Sequence, residues 1–517
     1  MKHSRTTYSF INIATGIGGY FLNTLIGYVC RIVFARTLGA EYLGISGLFM
    51  NIISMLSLAE LGVGSAMGYA LYKPLAENDR QKIASLMAFY KKAYITIGLV
   101  IGLLGLAMMP FLNVIIQEEI TIPENIYVLY CLFLFNTASS YFFSYRSALL
   151  IAAQRNYVVL GVNYAFTIVQ SIIQIIILSI TQNYYLYLVV QIVTVFINNF
   201  VISEWAKHDY PSIKSKGCVP LSKAEKKSLF VNVKALTINK LSTILVNNTD
   251  NIVITYLSGL ISTGLVSNYL ILTNTLGTLV KQIFSSLTAS VGNLNAIEND
   301  SKKYGFFKVL NLSSFWAFGW CAIGIALVSS DVVSLCFGKN FTIPLAIPIV
   351  IGINFYITGM NDAVYTYKST MGLFRKGQYL LLVTSAINLL LDFVLGSMWG
   401  ILGIYLATTI ARLCTNVWYE PYAVFKFGLR MSPLLYYKEY IKYLVCLLIT
   451  GILCYFTCSL CNFSVLINVI VKLVICTLIP NLIFWIVFHK SVEYKYLLEK
   501  ISQLIKKIFR KREKTNG

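Results

Sequence analysis

Apolar runs of about 20 residues, the length of a helix crossing a bilayer, recur along the whole chain between short polar breaks. A bilayer offers no water to bond a free peptide group, so a chain with this pattern crosses it as helices. The pattern predicts about 14 spans, near 10–34, 43–70, 86–116, 124–150, 157–180, 184–206, 228–257, 264–294, 306–329, 343–371, 377–396, 400–424, 440–460 and 464–488. The longest polar break is about 20 residues, too short for the core of a soluble domain. The N-terminal "MKHSRTTYSF" runs into an apolar span with no small-residue cleavage site, so no cleaved signal peptide is expected.

Composition supports the same class. Of 517 residues, 57% are hydrophobic and 12% charged, with a mean hydropathy of +0.70. A soluble protein of this length needs more polar surface than that. The expected fold is an all-α polytopic membrane protein.

Charge placement orients the spans. The formal net charge is +21. One set of alternate loops holds "KPLAENDRQK", "KHDYPSIKSKGCVPLSKAEKK", "ENDSKKYGFFK", "FRKGQ", "KFGLR" and the tail "KKIFRKREK". The other set holds "QEEITIPEN", "TQNYY", "SGLIST", "GSMWG" and "CNFS", with almost no Lys or Arg. Under the positive-inside rule, both termini face the cytoplasm, as an even number of spans requires. A basic tail beside a membrane lies on anionic lipid rather than on nucleic acid.

Cysteine and histidine add little chemistry. The 11 Cys are scattered through apolar spans. Cys454, Cys458 and Cys461 share a helical face but lack a His or acid nearby, so they read as packing residues rather than metal ligands. His3, His208 and His489 fall in loops or at span ends, which excludes a histidine proton relay inside the membrane.

The chain also matches itself at an offset of 220 residues. "RIVFARTLGAEYLGISGLF" from Arg31 pairs with "NIVITYLSGLISTGLVSNY" from Asn251, aligning Gly39 and Gly44 with Gly259 and Gly264. Close to that offset, "YRSALLIAAQRNY" from Tyr145 pairs with "YKSTMGLFRKGQY" from Tyr367. The unit is about six helices, both copies have the same orientation, and such repeats place a transporter's substrate between the halves. The expected organisation is a six-helix bundle over 1–206, a linker over 207–227 and a second bundle over 228–424. An extra helix pair over 440–488 and a basic tail over 489–517 follow.

Ionisable residues inside spans cost roughly 3 kcal/mol or more each at the bilayer centre and mark functional positions. The basic set is Arg31, Arg36, Arg146, Lys234, Lys240, Lys281, Lys368 and Arg412; the acidic set is Glu60, Asp250, Asp362, Asp392 and Glu420. Arg36, Lys234 and Lys368 suit snorkelling to headgroups. Arg31, Arg146, Lys240 and Lys281 are the substrate-binding candidates, because a cavity with surplus positive charge favours an anionic ligand such as a phosphate group.

Asp392 lies four residues before the turn "GSMWG", and Ile404 four residues after it. Asn388 and Thr408 lie eight residues from the turn on either side, so the four form a patch roughly 6–12 Å below it. Asp250 lies eight residues before the turn at Ser258-Gly259, at matching depth. Two carboxylates, an amide oxygen and a hydroxyl suit a hard cation such as Na⁺. A proton shared between Asp250 and Asp392, or an ion pair of Asp392 with a Lys or Arg, are the rival readings.

The segment "FARTLGAEYLGISGLFMNIISMLSLAELGVGSAMGYALYKPLAENDRQKI", with "LGxxxxG" followed by "ELGxG", resembles bacterial polysaccharide-export proteins. These are the O-antigen and capsule flippases of the multidrug/oligosaccharidyl-lipid/polysaccharide exporter superfamily, and the resemblance covers about residues 8–430. It implies two six-helix bundles in a V shape, alternating access and a cationic cavity in the bacterial inner membrane. The implied substrate is an undecaprenyl-pyrophosphate-linked oligosaccharide of the lipopolysaccharide, capsule or exopolysaccharide type. Membrane lipids and polysaccharide-polymerising machinery are the implied partners, and the chain is expected to act as a monomer with no cofactor beyond Na⁺ or H⁺. Related lipid II flippases have a sodium site whose places fall here on Asp250, Asn388, Asp392, Ile404 and Thr408. Their arginine pattern in the first span is not clearly reproduced, which disfavours lipid II itself. A cation-coupled multidrug antiporter is the alternative, but it favours acids over cations in its cavity. A membrane glycosyltransferase or polymerase needs larger charged outer loops than these, so no enzyme is expected.

Overall fold

The computed structural model describes residues 5–60, 63–117, 120–153, 155–211, 221–373, 376–377, 379–499 and 502. Every regular element among the described residues is helical. The chain divides into two compact units, 1–264 and 265–517. The boundary between them falls inside the helix Lys223–Ile297.

The first unit opens with α1 (Arg5–Leu38), α2 (Ala40–Leu56), α3 (Val63–Glu77) and α4 (Arg80–Met108), which continues into the short α5 (Leu112–Ile115). Then come α6 (Ile126–Ser144), α7 (Ser147–Ala152), α8 (Asn156–Thr181), α9 (Tyr184–Asp209) and the first part of α10 (Lys223–Ile297). Side chains from the loops cap several starts: Asp79 accepts from Lys82 N, Asn125 from Tyr127 N, and Asn183 from Leu186 N. Such caps satisfy orphan amide groups where each helix enters.

The second unit holds α11 (Asp300–Phe337), α12 (Ala346–Thr370), α13 (Leu380–Cys414), α14 (Asn416–Ala423), α15 (Leu434–Ser459) and α16 (Val465–Phe488). Its aromatic core has Phe315 stacked on Tyr443 with ring centres 4.6 Å apart. Two ion pairs bind α16 and the residues just after it to α11 near its opposite ends: Asp331 with Lys472 at 2.7 Å, and Lys308 with Glu493 at 2.7 Å. Between them, Trp316 donates to Asn481 at 2.7 Å and stacks on Tyr494.

Eleven helical stretches among the described residues are long and apolar enough to cross a membrane. Two of them reverse at a glycine and supply two arms each. Gly259 in α10 has φ 85°, and Thr255 and Thr263 hydroxyls meet across it at 2.8 Å. Gly400 in α13 has φ 56°, and Thr384 and Thr415 meet at 2.8 Å far down the two arms. Positive φ is open to glycine at little cost. These arms, with the interrupted helix over Ala40–Glu77, account for the fourteen expected spans. Residues such as Ile180, Leu390 and Leu482 are exposed, as lipid-facing positions must be.

The repeat appears in backbone geometry. Gly39, between α1 and α2, has φ 96° and ψ −176°; its counterpart Gly259 has φ 85° and ψ 169°. Beyond these turns the two copies touch reciprocally. A Cβ on Gly44 would overlap the Leu260 carbonyl, and a Cβ on Gly264 would overlap the Ala40 carbonyl. Ala40 and Gly44 are the repeat partners of Leu260 and Gly264, so the contact is one pattern read in both directions. It also draws residues up to 264 into the first unit. Small residues permit such backbone approach between membrane helices.

Gly44→Ala and Gly264→Ala are each expected to destabilise this arrangement by about 1–3 kcal/mol, the range for forcing atoms into filled space. Thermal unfolding in detergent checks this: both midpoints should fall, and wild-type midpoints would show that the helices separate freely.

Candidate functional site

The α13 hairpin brings four of the sequence-selected residues together. Asn388 and Asp392 lie one turn apart on the first arm, and Ile404 and Thr408 one turn apart on the second. The Asn388 amide donates to Asp392 Oδ1 at 2.8 Å and to Thr408 Oγ1 at 3.3 Å. Thr408 in turn donates to the Ile404 carbonyl at 3.3 Å. Asp392 is 0% exposed and Asn388 1%, so water does not screen the carboxylate.

The donor set can be tested against a bound cation. Asn388 Oδ1 is buried and has no hydrogen-bond partner. An orphaned buried oxygen of this kind carries a desolvation cost until something positive meets it. Carboxylate, amide oxygen, hydroxyl and carbonyl are all hard donors, and they suit Na⁺. Among the described residues no group of three His, Cys, Asp or Glu side chains forms a transition-metal site. Asp250 lies on α10 nine residues before Gly259, within the first unit, and is half-buried.

The basic candidates fall in several places. Arg31, on α1, is half-buried beside Tyr187 and Tyr28. Arg146 sits at the break between α6 and α7, where it donates to Ser203 and lies 4.9 Å over the Tyr145 ring. A cation over an aromatic face keeps its charge with less water. Lys281 is exposed on α10 and is the cation acting on the half-buried Asp362 of α12. The side chains of Lys240 and Lys234 lie outside the described residues. Arg36 is exposed near the end of α1, as snorkelling requires.

Lys368 corrects the sequence reading. It does not snorkel: it is buried and pairs with Glu420 at 2.8 Å. Glu420 lies on α14, 52 residues further along, and periodicity carries no signal for such a partner. Glu60 is likewise held by neutral groups, accepting from Tyr141 at 2.7 Å and Tyr94 at 3.4 Å. Cys454 and Cys458 are buried and pack with Cys476, 3.9 Å from Cys458, whereas Cys461 donates to the Thr457 carbonyl.

Sequence reasoning missed a further polar pair, Gln170 and Gln174 of α8. Gln170 donates to Gln174 at 3.3 Å, and Gln174 to the Tyr187 carbonyl at 3.2 Å. The available signal was two amides four residues apart inside an apolar span.

This architecture of reversing apolar helices with buried polar clusters is that of a multi-pass membrane protein. Several solved structures are similar in fold. The chain is similar to the lipid II flippase MurJ in an inward closed conformation, with TM-score 0.64 and 15% identity over 93% of this chain and 100% of that one. It is also similar to an inward-facing multidrug resistance MATE family transporter of the MOP superfamily, with TM-score 0.62 and 13% identity over 79% of this chain and 95% of that one. A mutant form of the Vibrio cholerae MATE transporter VcmN matches with TM-score 0.53 and 13% identity over 82% and 98%. No family model matches the chain, and no curated protein matches it by sequence. The fold is therefore that of the MOP superfamily flippases and transporters.

Removing one partner of a buried pair strands the other charge, which costs about 3–5 kcal/mol. Glu420→Ala is expected to lower stability by that order. The Lys368→Met, Glu420→Leu double variant should recover most of the loss in a thermal unfolding series, whereas additive losses would show that the pair does not interact.

Proposed function

We propose that this protein is a flippase that carries an undecaprenyl-pyrophosphate-linked oligosaccharide from the cytoplasmic to the periplasmic leaflet by alternating access. One observation carries the choice within the superfamily. The MurJ likeness extends over 93% of the chain and this MATE likeness over 79%, a difference of about 70 residues, enough to hold the α15–α16 pair. Of that pair, α16 and Glu493 just after it are fastened to α11 at two ion pairs. A lipid-linked cargo thus fits better than a soluble drug. The glycan class rests on the "LGxxxxG" and "ELGxG" segment.

In this reading the basic loops and both termini face the cytoplasm of a bacterial inner membrane. Arg31, Arg146, Lys240 and Lys281 meet the pyrophosphate or acidic sugars, for which guanidinium and ammonium groups are the natural donors. No nucleotide-binding lysine motif is present in the sequence, so the energy comes from an ion gradient. Asn388, Asp392, Thr408 and the Ile404 carbonyl hold Na⁺. Each ion entering down about 100 mV supplies about 2.3 kcal/mol before any concentration term.

Arg146→Ala with Lys281→Ala should sharply reduce glycan export while the protein stays in the membrane, and normal export would remove both from the substrate path. In proteoliposomes, Asp392→Asn should abolish Na⁺-dependent flipping. Wild-type flipping that follows a proton gradient and ignores Na⁺ would reassign the cluster to proton carriage.

A further inference from the structure

Two of the basic breaks, "FRKGQ" and "KFGLR", meet at one place in the second unit. Lys376, in the turn between α12 and α13, puts its ammonium 4.2 Å from the centre of the Phe427 ring. Phe427 belongs to a six-residue π-helical turn, Val424–Leu429, that follows α14. Such turns recur at functional sites. Next to Lys376, Gly377 at φ 73° lies so near Tyr419 that a Cβ would stand 2.6 Å from its ring.

The rings here form a ladder. Trp418 meets Tyr419 with centres 5.6 Å apart, Tyr419 meets Tyr422 at 6.1 Å, and Tyr422 meets Phe427 at 6.1 Å. Lys426 lies 5.0 Å over the Tyr422 ring and donates to its hydroxyl at 2.6 Å. Neighbouring rungs thus carry one lysine each. At the other end, the Tyr437 hydroxyl of α15 donates to the Trp418 carbonyl. Trp418 is 49% exposed and Phe427 41%, so the ladder opens to the surroundings.

The charge on it is not cancelled. Glu420, on the same helix, is buried and pairs with Lys368 at 2.8 Å. Glu439 lies 4.0 Å from Lys442. Among the described residues, no carboxylate forms an ion pair with the exposed Lys376, Lys426 or Arg430. A ring face attracts an ammonium through its quadrupole but leaves the charge in place. An ammonium has three donors, so each lysine keeps some for an anion. Tyrosine and tryptophan at span ends sit at headgroup level, where the anions of a membrane are phosphates.

We propose that this ladder binds an anionic phospholipid, whose phosphodiester Lys376 and Lys426 hold from neighbouring rungs. Charge complementarity selects the occupant: a zwitterionic headgroup brings its own ammonium and gains less from two lysines. A lipid held there ties the α12–α13 turn to the turn after α14. The orientation proposed above places it in the cytoplasmic leaflet, and its binding does not depend on which cargo moves.

The test uses the full-length protein in nanodiscs of phosphatidylcholine doped with brominated phosphatidylglycerol or brominated phosphatidylcholine. Bromine quenches a nearby indole, and the Trp418 signal is the wild-type emission minus that of Trp418→Phe. Each lysine at a membrane surface contributes roughly fivefold to anionic-lipid binding, so wild type should prefer brominated phosphatidylglycerol by about tenfold or more. Added NaCl should erode that preference. Lys376→Gln with Lys426→Gln should be quenched alike by both lipids, at an unchanged unfolding midpoint. Equal quenching of wild type by the two lipids overturns the proposal, and so does a preference that survives in the double variant. Recovery of Trp418 emission on adding inorganic pyrophosphate at constant ionic strength overturns it too, by giving the site to a soluble phosphate.

Discussion

Four backbone positions set how closely the membrane helices of the first unit approach. Gly44 lies against the Leu260 carbonyl and Gly264 against the Ala40 carbonyl, leaving no space for a Cβ at either glycine. In lipid, apolar side chains gain little by leaving one apolar medium for another, so close backbone packing supplies the association. The neighbouring turns at Gly39 and Gly259 share one backbone conformation, so the two copies present matching surfaces. Loop contacts then gather around this point: Glu41 accepts from the Thr121 amide, Tyr42 donates to Glu124, and Ser46 meets Tyr184 at 2.7 Å.

The charges inside the apolar segments fall into two physical groups. Lys368–Glu420 and Asp331–Lys472 neutralise one another and fasten helices together. Asp392 accepts from the neutral Asn388 amide, and Glu60 accepts from two tyrosine hydroxyls. A fixed pair resists change because breaking it strands a charge.

Much of this was legible in the chain itself. The reversals at Gly259 and Gly400 show as single glycine positions between long apolar arms, because φ is fixed locally. The Asn388, Asp392, Ile404 and Thr408 cluster follows from counting outward from one turn, because helix rise is constant. The Lys368 partner was illegible, since pairing across 52 residues depends on how α12 meets α14. Gln174 escaped notice for a chemical reason: a neutral amide inside an apolar helix does not announce its cost as a carboxylate does.

The clamping of α15 and α16 onto α11 has a consequence for the surrounding lipid. Ion pairs near both ends and the Trp316 contacts between join α16 to α11, and the Phe315–Tyr443 stack adds α15, so the three helices form one plate. The plate's outer face is broad and apolar, with Leu448, Ile452, Leu466 and Leu482 all exposed. A tilted plate spans less of the bilayer normal than an upright one, so lipid must thin or stretch to follow it. Bilayer thickness therefore enters the energy of any conformational cycle that tilts α11, and acyl-chain length becomes a setting on the machine.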